Sequence, residues 1–155
     1  MNAAWGNICD YNKISIAIAK DHKTVSNILE SKAFTVSFAT TEEVTACDFV
    51  GIATGNKDTK KIKKTGWIIE KSKNVNAPIF DKLPLVLECN LESYGEQTEI
   101  CIGSIVNMSA SESILTDGKI DLEKFHPISY DGMNHQYIEL GKTVAKAFEV
   151  GKKLL

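Results

Sequence analysis

Lys20-Asp21-His22-Lys23-Thr24 brings two ammonium groups and a hydroxyl together where a strand-like run gives way to helical spacing. Unpaired backbone N–H groups at the start of a helix, its dipole and flanking lysines make a site suited to a phosphate. The same residues also read as a polar lead-in to an ordinary helix. A second group is Asn2-Ala3-Ala4-Trp5-Gly6. Small residues let the backbone approach a planar ligand closely, and the indole adds a flat face; the alternative is a plain hydrophobic start. A third is Gly51–Gly66, where Thr54, Gly55 and Asn56 precede Lys57, Lys60, Lys61, Lys63 and Lys64. Glycines and hydroxyls beside lysines fit an anion-holding loop, and a basic run fits a solvated surface equally.

No catalytic set accompanies these groups. The chain lacks G-x-S-x-G, H-E-x-x-H, a P-loop and G-x-G-x-x-G. His22, His126 and His135 are isolated from one another, and His126 and His135 read as surface or structural residues. Cys9, Cys47, Cys89 and Cys101 are widely spaced with no C-x-x-C, so no metal centre is expected. Cys89 and Cys101 fall inside apolar runs and read as small buried hydrophobes. Any redox or group-transfer chemistry therefore needs a bound cofactor.

The elements that position these groups follow from periodicity. Ile14–Ala19 and Phe34–Phe38 alternate at period two and predict strands. Between them, Val25, Ile28 and Leu29 fall at helical spacing. Thr40-Thr41-Glu42-Glu43 predicts a capping box for a helix with Val44, Cys47 and Val50 on its buried stripe, ending near Gly51. Leu83–Leu91 and Ile100–Met108 predict long strands separated by Glu92–Glu99, with Gly103 marking a bend or bulge. Asp117-Gly118 is a turn, His126–Tyr130 reads as irregular, and Val144–Leu155 allows a helix with Gly151 near its end. Strands outnumber helices, so the fold class is mainly β with peripheral helices, a barrel or sandwich in a single domain over 1–155. On this scaffold a flat ring on Asn2–Trp5 with its phosphate at Lys20–Thr24 is how a flavin mononucleotide (FMN) would be held.

Composition bounds the partners. With 155 residues, 43% hydrophobic and 25% charged, the chain suits one domain with its own core. Lys plus Arg count 18 and Asp plus Glu 20, a net −2, from which neither nucleic acid nor a membrane surface follows as partner. The apolar runs are shorter than a membrane span, no secretory signal is expected, and the cysteine usage predicts a reduced, cytoplasmic setting.

Several segments in order carry a family resemblance. They are Asn-Ala-Ala-Trp-Gly (2–6), Lys-Ala-Phe-Thr-Val-Ser (32–37), Asp-Phe-Val-Gly-Ile-Ala-Thr-Gly (48–55) and Lys-Lys-Thr-Gly-Trp (63–67). Ala-Pro-Ile-Phe (77–80), Leu-Pro-Leu-Val-Leu-Glu-Cys (83–89), Ile-Gly-Ser-Ile-Val-Asn (102–107) and the tail from Leu-Gly-Lys (140–142) follow. Together they resemble the flavin reductase-like, FMN-binding split-barrel family, in its flavoredoxin-type branch. The resemblance implies a Greek-key split β-barrel, a homodimer and one FMN per subunit. It implies an oxidoreductase or electron carrier moving electrons from NADH, NADPH or a redox protein through FMN, with no catalytic side chain. A non-catalytic flavin-binding module is the alternative. Carried over by residue, Asn2, Ala3, Ala4 and Trp5 match the loop lining the flavin ring, and Lys20, Lys23 and Thr24 the phosphate turn. Thr54 and Gly55 match the start of the basic loop and Lys61 the lysine toward its end. Met1 stands where the family carries an internal residue, so the expectation is a barrel lacking its first strands, and a truncated fragment unable to hold FMN is a further reading.

Overall fold

The computed structural model describes all 155 residues, Met1–Leu155. Its strands are β1 (Gly6–Asp10), β2 (Lys13–Ala17), β3 (Ala33–Ser37), β4 (Ile69–Lys71), β5 (Pro78–Phe80), β6 (Leu85–Gly95) and β7 (Ile100–Ala110). Shorter strands follow: β8 (Leu115–Thr116), β9 (Lys119–Ile120), β10 (Ile128–Asp131) and β11 (Gln136–Glu139). The helices are α1 (Lys23–Ser31), α2 (Val44–Ile52), α3 (Lys61–Thr65) and α4 (Leu122–Phe125).

The central sheet has five strands in the order β1-β2-β7-β6-β3, with all neighbours antiparallel. β1 and β3 are its two edges and do not pair with each other, so this is an incompletely closed split barrel. The mainly β expectation therefore holds, peripheral helices included. β1 was not read from the sequence: it forms a hairpin with β2, with Gly6 opposite Ile16. The β8–β9 hairpin turns at Asp117-Gly118, where φ is 51° and 72°. A two-residue hairpin with positive φ at both positions favours this Asp-Gly pair.

The principal core joins Ile14, Ile16 and Ile18 to Val25 and Ile28 of α1 and to Phe34, Leu87, Cys89 and Cys101. α1 lies on the sheet through Val25 and Ile28, each 5% exposed or less, while Leu29 stays 39% exposed. Each such aliphatic side chain withdrawn from water contributes about 1.5–3 kcal/mol. Cys89 and Cys101 are fully buried, and burial pushes their thiols up to about 12 and about 11, as befits inert core residues.

Gly103 does adjoin a bulge: it pairs with Ile14 on one side, and on the other its partner Leu91 is followed by Glu92, which has no partner across the β6–β7 ladder, so the extra residue lies on β6. A second register shift lies at Val106. A Cβ at Gly103 would fall 2.4 Å from Cζ of Phe34, so the glycine also makes room for that ring. Three expectations are corrected. The capping box does not form, because α2 starts at Val44 and no side chain caps it. Thr40 is instead buried in a bridge to Pro127, and the Glu43 carboxylate accepts the Trp67 indole N–H at 2.7 Å. His126–Tyr130 is not irregular throughout, since β10 begins at Ile128 and pairs with β11. The tail is not an α-helix; only Val150–Leu154 forms a short 3₁₀ turn, and Val144, Phe148 and Leu154 are more than nine-tenths exposed. A terminal segment without a packing face has nothing to offset helix nucleation.

Candidate functional site

The end of β2 links the Asn2–Trp5 loop to the Lys20–Thr24 turn. The Trp5 carbonyl accepts the Ala17 N–H at 2.9 Å, fastening the Asn2–Trp5 loop to the end of β2. From there the chain passes through Ile18, whose carbonyl accepts the Tyr94 hydroxyl at 2.8 Å, into the Lys20–Thr24 turn. The Lys20 N–H donates to the Glu99 carboxylate at 3.0 Å, while the Lys20 side chain is exposed. α1 then opens at Lys23 with His22 as its N-cap residue, and no side chain occupies the cap. The Val25 N–H donates to the His22 carbonyl at 3.0 Å, which leaves the Lys23 and Thr24 N–H groups for solvent or an anion.

The basic loop closes on this turn. The Asn56 side-chain amide donates to the Asp21 carbonyl at 2.8 Å, tying residues 54–57 to the start of α1. Gly55 lies between two of the predicted lysines: a Cβ added there would stand 3.3 Å from Cβ of Lys23 and 3.9 Å from Cε of Lys61. Thr54, Gly55, Lys23 and Lys61 are therefore neighbours, although Lys23 and Lys61 are far apart in sequence. Lys61 also has a structural duty. Its ammonium donates to the Val50 and Ala53 carbonyls at 3.0 and 2.8 Å, capping the C-terminal end of α2. Partial burial holds its pKa below the usual lysine value. Two of its three donors are engaged, and one remains.

The Asn2–Trp5 loop is pinned at both ends. Asn2 donates through Nδ2 to the Tyr137 hydroxyl at 2.9 Å, and Tyr137 donates to Asp48 Oδ1 at 2.8 Å. Trp5 meets Tyr130 edge-on, with ring centroids 6.3 Å apart, and Tyr130 in turn contacts Tyr137 at 5.7 Å. Ala3 and Ala4 are exposed, as is two-thirds of Trp5. An open recess of about 400 Å³ adjoins them, walled by Ala4, Trp5, Ser15, Ala17 and Ile100 among others. A separate recess of about 450 Å³ at Lys71–Asn76 contains none of the sequence-predicted site residues.

Asp48, Tyr130 and Tyr137 were not singled out from the sequence. Asp48 opens the quoted 48–55 segment and the two tyrosines flank the turn around Gly132, but these signals mean little until β10 and β11 are seen to lie against the Trp5 loop. His126 and His135 each have one side-chain partner. His126 pairs with Glu139 at 2.6 Å, and His135 hydrogen-bonds Tyr130 at 2.8 Å. No group of His, Cys, Asp and Glu residues is arranged to hold a metal ion, and no helix is long and apolar enough to cross a membrane.

The fold recurs in solved structures. Flavoredoxin of Desulfovibrio vulgaris (Miyazaki F) superposes with a TM-score of 0.90 at 31% identity, over 96% of this chain and 82% of that one. Flavoredoxin from Methanosarcina acetivorans gives 0.89 at 24% identity, over 99% of this chain and 83% of that one. The FMN-binding domain of a flavin reductases-like enzyme from Shewanella baltica OS155 shares the fold at 0.83 and 18% identity, over 93% of this chain and 80% of that one. No curated protein sequence matches the chain. The family described as "Flavin reductase like domain" matches residues 8–129, most of the chain, and the protein belongs to that family.

Proposed function

We propose that this chain binds FMN and works as an oxidoreductase or electron carrier, taking electrons from NADH, NADPH or a protein donor. The observation that carries the reading is the meeting of Lys23, Thr54, Gly55 and Lys61 at the uncapped start of α1, beside the Asn2–Trp5 loop. The residues fit the cofactor's chemistry. A phosphate suits the Lys23 and Thr24 amides, the remaining Lys61 donor and the Lys20 and Lys23 ammonium groups. A flat ring suits the small side chains of Ala3 and Ala4 and the exposed face of Trp5. FMN supplies electron transfer when bound, so the protein's part is to bind it, orient it and leave one face open to the donor. The isolated histidines and the absence of a nucleophile–base pair agree with that division.

A homodimer is part of this proposal. The apolar side chains of Val144, Phe148 and Leu154 stand in solvent on the tail, and a second subunit is the cover we assign to them. A cytoplasmic location is supported by four cysteines, none of them paired.

The test is an FMN titration of the purified chain, followed by flavin fluorescence quenching, then oxidation of NADH and NADPH by the loaded protein. The expected result is micromolar or tighter binding at one FMN per subunit with nicotinamide oxidation. Binding without oxidation of either nicotinamide, or of a protein donor, supports a flavin-binding module instead. No binding refutes the proposal.

A further inference from the structure

We propose that Tyr137 is a positioning residue for the cofactor loop: clamped by Asp48, its phenol dictates which end of the Asn2 side-chain amide is left to meet FMN. The inference rests on the FMN reading above and extends it to residues outside the loop itself.

Three distant parts of the chain converge here. Asp48 comes from the middle of α2, Tyr137 from β11 and Asn2 from the loop before β1. The order of donation follows from chemistry. A carboxylate only accepts, so the single phenolic proton of Tyr137 is committed to Asp48 Oδ1 at 2.8 Å. What faces Asn2 is then a lone pair, and only the NH₂ end of the amide can answer it, as it does at 2.9 Å. Turning the amide over would set two acceptor oxygens against each other with no proton between them. Asp48 thus fixes the orientation of Asn2 through two hydrogen bonds, leaving Oδ1 of Asn2 without a partner in the protein. Gly51, one turn along the same helix, lets the loop sit this close, since a Cβ there would fall 3.0 Å from Cβ of Asn2. Burial, and then the bond to Asp48, push the Tyr137 phenol up to about 12, so it keeps its proton throughout the neutral range.

A merely structural clamp would affect folding and leave the ligand indifferent to the orientation of Asn2. A double-mutant cycle separates the two roles. FMN affinity, the visible spectrum of bound FMN and the melting temperature of the FMN-free protein are measured for wild type, Tyr137→Phe, Asn2→Ala and the double variant. We expect Tyr137→Phe and Asn2→Ala each to weaken FMN by roughly tenfold, the size of one hydrogen bond. Tyr137→Phe should also alter the bound-flavin spectrum, and the double variant should bind no more weakly than Asn2→Ala alone. Equal affinity and spectrum for Tyr137→Phe and wild type overturn the inference, as do losses that multiply in the double variant. If Tyr137→Phe folds poorly, Asp48→Asn replaces it: an amide there can donate to the phenol, free its proton and release Asn2. Asp48→Asn should then weaken FMN several-fold in the wild-type background and not in Asn2→Ala; a loss of the same size in both overturns the inference. Wild-type protein that binds no FMN refutes the FMN reading and this inference together, whereas normal binding with an unaffected Tyr137→Phe refutes this inference alone.

Discussion

Glu88 is the most instructive residue to perturb. It is 1% exposed and sits in the middle of β6 with no cationic partner. Its carboxylate is held by the hydroxyl of Ser72, by the amide of Asn74 at 3.1 Å to both oxygens, by the amide of Asn107 at 2.6 Å and by the hydroxyl of Ser109 at 3.2 Å. Ser72 and Asn74 belong to the loop after β4, and Asn107 and Ser109 to β7, so one charge joins a loop to two strands. Burial disfavours the charged form, but the four donors outweigh it and leave the Glu88 carboxyl below its usual pKa. Glu88→Gln keeps the size and one acceptor while turning the other into a donor that faces donors. Hydrogen bonds to a charged group contribute about 1.5–3 kcal/mol each, so losing the equivalent of one or two costs about 3 kcal/mol. That is a large share of a stability of about 5–15 kcal/mol and lowers Tm by roughly 6–12 °C in a chain of this size. The pH dependence has a definite sign. With its folded-state pKa below the unfolded one, Glu88 contributes stability above the ordinary carboxylate range, and that stability is lost as pH falls through the folded value. The Tm gap between wild type and Glu88→Gln should therefore be widest near neutral pH and close in acid. Hydrogen exchange should quicken at the Asn74 and Val75 amides, which donate to Ser72 Oγ at 3.0 Å. A Tm within a degree or two of wild type at neutral pH, or a gap that stays constant into acid, would refute the reasoning.

Gly103→Ala should destabilise by about 1–3 kcal/mol through overpacking against Phe34, read by denaturant unfolding, and Phe34→Leu in the same chain should recover part of the loss. His126 should titrate above the usual histidine value because Glu139 accepts its ring N–H, and an NMR titration of Glu139→Gln should bring it back down. With the folded pKa raised, what this pair contributes is present below the unfolded histidine pKa and fades as pH rises through the folded one. Removing residues 143–155 should leave the Tm of the body nearly unchanged and shift a dimer toward monomer in sedimentation, because that tail makes no buried contact within its own subunit.

The sequence by itself determined the elements whose signals are local. Alternation placed β2 and β3, long apolar runs placed β6 and β7, helical spacing placed α1, and Asp117-Gly118 placed a turn, because period and turn chemistry act between residues close in the chain. The quoted motifs also carried the family, which the match over residues 8–129 bears out. Only the tertiary structure decided what depends on distant partners. Thr40–Glu43 has the capping-box pattern, yet Trp67 claims the Glu43 carboxylate and Pro127 claims the Thr40 backbone. Gly103 reads as a bend or bulge and does adjoin one, but that it also admits the Phe34 ring is decided by another strand. His126–Tyr130 looked irregular because the strand that begins at Ile128 takes its meaning from pairing with β11 and docking on the Trp5 loop. Lys23 and Lys61 become neighbours only when the fold sets Gly55 between them. Local propensity is written in neighbouring residues, whereas a site is a set of long-range contacts, and those exist only once the core has fixed the geometry between elements.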